Sequence, residues 1–143
     1  MVDANRLEAQ TAAMKLKKTK PKPGAAALAK PAPPEPKVLR EYRMKFEKVP
    51  AGKAAIPDLD KIGMRSKLGG KPDWCQSAKV PNCSDCGAPM SFIAQIDSME
   101  HKEGYNPHAV DYDKQDYMFA DVGMIYVFMC FDCMETQSVL QCG

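Results

Sequence analysis

A chain of 143 residues, 45% hydrophobic and 27% charged, holds enough apolar material for one ordinary domain and no more. Its formal charge of +2 hides an asymmetry: residues 1–48 carry twelve Lys and Arg against five acids, or +7, and residues 49–143 carry eight against thirteen, or −5. No apolar run is long enough to span a bilayer, and the opening MVDANRLEAQ lacks the order of a secretory signal, so a cytoplasmic protein with reduced thiols and no membrane contact is expected.

Residues 3–18 are rich in helix formers, with Asp3 placed as an N-cap, but the apolar stripe is limited to Leu7, Met14 and Leu16. Residues 19–37 hold six of the twelve prolines and read as an extended tether, so 1–37 is expected to be a disordered basic arm with at most a short helix. The arm has no aromatic residue for base stacking, and its phosphate attraction would be nonspecific.

Order is expected from residue 38, giving a domain over 38–143. In 38–48, Val38, Tyr42, Met44 and Phe46 share one parity and Glu41, Arg43, Lys45 and Glu47 the other, the period of a half-buried strand. Residues 49–63 are turn-rich, and Gly69-Gly70 with Pro72 precede the single tryptophan, Trp74, a candidate core anchor.

Residues 90–97 alternate Met90, Phe92, Ala94 and Ile96 against Ser91, Gln95 and Asp97, with Ile93 as the exception. Residues 123–130 are apolar on both parities, which predicts a central strand covered on both faces. Residues 135–142 form a more polar return strand. The long acidic segment between the first two of these strands contains His101, His108 and the DYDKQD run of 111–116. A loop of that length is functional or disordered.

Cys83-Ser-Asp-Cys86 and Cys130-Phe-Asp-Cys133 are two CxxC units with 43 residues between them. A CxxC on a tight turn offers zinc two thiolates at the right bite, and Gly87 supplies the turn after the first pair. The second pair sits between two strands, so both units cap strand ends in the manner of a zinc ribbon. Rubredoxin-type iron favours glycine after both units, and Met134 follows the second. A redox CxxC would open a helix, which Pro89 and the following strand oppose. Disulfides would require an oxidising compartment.

Four thiolates close the metal's shell, so one structural zinc at Cys83, Cys86, Cys130 and Cys133 is expected, and it adds −2 to the domain, bringing it to about −7. Neither histidine has ligand spacing, and 111–116 lacks the glycine and glutamate of a calcium loop. Cys75 and Cys142 read as reduced packing cysteines. No catalytic set is visible, so the chain is not expected to be an enzyme.

The ordered run Gly69-Gly70-x-Pro72-x-Trp74, Pro81-x-Cys83-x-x-Cys86-Gly87, Met90-x-Phe92-x-x-Gln95-Ile96-Asp97 and Gly123-x-x-Tyr126-x-Phe128-x-Cys130-x-x-Cys133 resembles the bacterial YwqG-like domains of unknown function. It also resembles the N-terminal module of programmed-cell-death-two proteins. The likeness covers about 66–142. It implies a mainly antiparallel β architecture, the four cysteines as ligands, and Gly69, Gly70, Pro72, Trp74 and Gln95 as structural positions. The second family is similar to chaperones that escort a ribosomal protein. The expected class is therefore a mainly β protein with a small antiparallel sheet, acting as a zinc-stapled protein-interaction module for a basic partner. The alternative is a nucleic-acid-binding zinc ribbon that uses residues 1–48.

Overall fold

The computed structural model describes residues 34–142, and those from Lys37 onward belong to one compact unit. The helix expected over 3–18 and most of the arm expected over 1–37 lie outside the described residues. Four strands form one antiparallel sheet in chain order: β1 (Lys67–Leu68), β2 (Ser91–Asp97), β3 (Met124–Met129) and β4 (Thr136–Gln141). The last three match the strands expected over 90–97, 123–130 and 135–142 to within a residue at each end. β1 is a two-residue edge that ends at the glycine pair, where Gly69 and Gly70 take φ of 71° and 76° and turn the chain off the sheet.

The inward parity of β2 changes along its length. Phe92 faces Phe128 and Ala94 faces Val127, so Ile93, the residue that broke the alternation, is the extra residue of a β-bulge. Beyond it Ala94 and Ile96 turn to the outer face, while Gln95 and Asp97 point into the core, 1% and 0% exposed.

β3 is central, but it is not covered on both faces as expected. Met124, Tyr126 and Phe128 are buried, whereas Ile125, Val127 and Met129 are half-buried on a second face that they share with exposed Leu68 and Leu140. That face shows why strand centrality and two-sided burial differ: flanking strands satisfy the backbone and leave the side chains to whatever packs above them.

The expected strand over 38–48 is also absent. The segment is extended but pairs with no strand, and Val38, Met44 and Phe46 lie exposed. Its partners are polar instead: Arg40 and Tyr42, two residues apart and so on one side, both reach Glu100.

The core is an aromatic stack over β3. The Trp74 ring centroid lies 4.6 Å from Tyr126 and 6.0 Å from Phe128, and Phe92 packs edge-on to Phe128. Trp74 reaches the sheet because the backbone beneath it is clamped from three strands. Gln95 Oε1 accepts from Asp73 N, the Tyr126 hydroxyl accepts from Cys75 N and donates to Asp73 O, and Gln141 Oε1 accepts from Gln76 N. Buried side-chain acceptors thus replace the ladder that this crossing segment lacks.

Candidate metal centre

The first CxxC unit lies on a turn closed by an Asn82–Pro89 bridge that leads directly into β2. The Cys83 amide donates to Ala88 O, and Gly87 N donates back to Cys83 O. The second unit is the hairpin between β3 and β4, where Cys130 N donates to Glu135 O. Because Ser91 pairs with Met129, the two units meet at one end of the sheet.

Each unit is followed by a left-handed residue, Gly87 at φ 74° and Met134 at φ 58°. Met134 therefore makes the turn that glycine makes in the first unit. The lack of a second glycine accordingly carries no weight against iron.

The four sulfur atoms lie within 4.8 Å of one another, and Cys86 Sγ is 3.7 Å from Cys130 Sγ. Thiolates held about 2.3 Å from a tetrahedral ion sit about 3.8 Å apart, so the donor set fits a four-coordinate metal. All six cysteines are free thiols. Cys83 and Cys130 are buried, Cys133 is half-buried and Cys86 is exposed, so the site sits at the surface with its inner half in the core.

A carboxylate that spacing did not reveal braces the first turn. Glu135 accepts from Cys83 Sγ at 3.0 Å, from Ser84 N at 2.8 Å and from the Ser84 hydroxyl. Those donors hold Glu135 down to about 2, and the same contact pushes the Cys83 thiol up to about 11. The amides of Cys133 and Asp132 lower Cys130, whereas the Cys86 contact and then burial raise Cys133. A cation would replace the shared thiol protons. Sequence offers one faint signal for Glu135, its place two residues after Cys133, where the hairpin turns back toward the other unit.

The remaining candidates lie elsewhere. Cys75 packs beside the aromatic core, and Cys142 follows β4 with its carbonyl accepting from Gln76. Gly69, Gly70 and Asp73 border a cavity of about 470 Å³ that Lys53 and Lys71 also line, and Lys67 on its wall is ion-paired to Asp73. His101 Nε2 lies 3.3 Å from Glu103 and its buried Nδ1 has no partner, while His108 stands edge-on to Tyr42.

Asp111 pairs with Lys102 and Lys114, and Asp116 with Lys37, so two of the three aspartates in the acidic run are ion-paired within the chain. The loop that carries it is anchored by buried Ser98, Glu100 and Asn106. Ser98 Oγ bridges Gly123 O and Phe119 N, and Asn106 Nδ2 donates to the carbonyls of Met99 and His101.

Residues 66–109 match the model of a family described as a domain of unknown function, DUF1963. An uncharacterized protein, YpfL of Salmonella typhimurium, is 34% identical over 76 residues, which is 53% of this chain and 15% of that protein. No solved structure matches the chain. The chain is thus similar to proteins without an assigned function, and the family match contains the first cysteine pair, Trp74, Gln95 and Asp97 but stops short of the second pair. Among the described residues no helix is long and apolar enough to cross a membrane.

Proposed function

We propose that this chain is a cytoplasmic protein-interaction module, a zinc ribbon in which one structural ion at Cys83, Cys86, Cys130 and Cys133 staples the sheet. The observation that carries the reading is the convergence of four sulfurs within 4.8 Å at the meeting point of two strand ends. Zinc asks only for a tetrahedron and is satisfied by four thiolates, which leave no position for a substrate. The metal is scaffold, and the role is binding rather than turnover.

Charge indicates the partner. With zinc bound, residues 49–143 carry about −7, which favours a basic protein over a nucleic acid. Two cations near the end of the basic region, Lys37 and Arg40, are engaged with Asp116 and Glu100, so they are drawn from the pool a phosphate backbone would use. A chaperone or adaptor role is what the resemblance of the Gly69–Trp74 run and the cysteine units to the module of programmed-cell-death-two proteins implies.

The test is cross-linking of the intact, metal-loaded chain to its partners at a low salt of about 50 mM, with and without nuclease. The reading expects nuclease-resistant cross-links from the acidic loop to a basic protein. Cross-links confined to residues 1–48 and lost with nuclease would move the assignment to nucleic acid.

A further inference from the structure

The loop over 98–121 already holds a basic peptide, and that peptide is the chain's own. Lys37 Nζ lies 2.7 Å from Asp116. The Arg40 guanidinium meets Glu100 Oε1 and the Lys114 carbonyl, its amide donates to Asp116, and its carbonyl accepts from the Tyr117 hydroxyl. The Tyr42 hydroxyl donates to Glu100 Oε1 at 2.7 Å, and its ring stands edge-on to His108 and Tyr117.

The receiving side is built into the loop. Glu100 is fully buried, and the amides of Asp116 and Tyr117 hold its Oε2. The other oxygen faces outward from this cradle, and among the described residues it takes its hydrogen bonds from Arg40 and Tyr42 alone. Half of a buried carboxylate is thus aimed at an incoming arginine and hydroxyl two residues apart.

The segment itself is loosely held. It joins no strand, leaves Val38 92% and Phe46 67% exposed, and keeps its contacts on one side. Exchange for a similar peptide breaks polar contacts that the newcomer remakes and uncovers little of the core.

We propose that the 98–121 loop is a docking site for an extended basic segment of a client protein, with an arginine and a tyrosine at i and i+2 and a lysine three residues before the arginine. Residues 37–42 are its built-in competitor. This rests on the interaction reading above and gives that reading an address: Glu100, Asp116 and Tyr117. A phosphate-bearing polymer does not fit, because the site presents carboxylates.

A fluorescent synthetic peptide copying residues 36–46 is titrated into the full-length, metal-loaded chain and into its Arg40→Ala/Tyr42→Ala variant. Removing the internal competitor raises the competent fraction, so the variant binds at least about tenfold tighter. Adding Asp116→Asn to the variant weakens binding again, and a peptide with alanine in place of the arginine that corresponds to Arg40 does not bind.

Equal affinity for wild type and variant, or no binding to either, overturns the proposal. If the variant does not fold, hydrogen exchange on the wild type decides. Excess peptide must speed exchange at residues 37–42, and unchanged rates at saturating peptide overturn it. Failure here, together with nuclease-resistant cross-links elsewhere on the domain, would leave the interaction reading standing at another surface.

Discussion

Replacing Asp97 with alanine tests whether the polar side of β2 holds the fold together. Asp97 is 0% exposed and accepts five hydrogen bonds: from the Gly63, Arg65 and Ser98 amides, and from Arg65 Nε and Nη2, the last at 2.7 Å. The Arg65 side chain is 11% exposed. Removing one partner of a buried pair costs about 3–5 kcal/mol, because the other charge is left uncompensated.

A domain of this size has on the order of 5–15 kcal/mol in total. Urea unfolding with metal held in excess, at about 1–2 kcal/mol per molar, should show the midpoint falling by about 2–3 M. Asp97→Asn keeps the shape and loses the charge, and should cost about half as much. The Arg65→Met/Asp97→Leu pair should recover part of the loss, the three amides still lacking their acceptor. An alanine variant within about 1 kcal/mol of wild type would refute the assignment of Asp97 as the hub that fastens 63–65 to the sheet.

A Cβ on Gly123 would lie 2.5 Å from Phe119 O and 2.8 Å from Gln141 O, so Gly123→Ala should cost about 2 kcal/mol or more, read as a lowered Tm. Met134 is exposed and left-handed, and Met134→Gly should gain about 0.5–1 kcal/mol in the same assay; a loss would mean the side chain is needed.

Burial alone would raise Glu100, but the Tyr42 hydroxyl, the Asp116 and Tyr117 amides and Arg40 hold it below the ordinary glutamate value. The charged form is thus favoured in the folded state, and its contribution is present above the unfolded pKa and lost as pH falls through the lowered one. Protection from hydrogen exchange at residues 37–42, relative to the intrinsic rate at each pH, should fall in that acid range. Asp116, lowered by Lys37 and by the Arg40 amide, titrates against the same segment, so Glu100→Gln should reduce the pH dependence without abolishing it, and an unchanged profile in that variant would sink the assignment.

Three of the four strands were legible as apolar or alternating runs bounded by turn residues, but 123–130, apolar on both parities, hid the fact that only Met124, Tyr126 and Phe128 are buried. The cysteine set was legible because two CxxC units admit few other arrangements. Local patterns failed where tertiary partners decide. Ile93 broke the alternation of 90–97, but only pairing with β3 shows that the extra residue turns Gln95 and Asp97 inward. Val38, Met44 and Phe46 alternate like a strand, yet periodicity does not show whether a sheet edge is available to receive them. Glu100 as a buried anchor and Glu135 as a half-buried brace were unreadable because their partners lie 60 and 52 residues away in the chain.

The central claim is that a metal held by four thiolates is the scaffold of this domain. Native mass spectrometry of the full-length chain, purified under mild reducing conditions without added metal, tests it most directly. The account predicts one bound zinc per chain, lost together with the native charge-state distribution in Cys130→Ser. A folded, metal-free chain lighter by pairs of hydrogens would make the cysteines disulfides, and a bound iron in place of zinc would overturn the choice of ion.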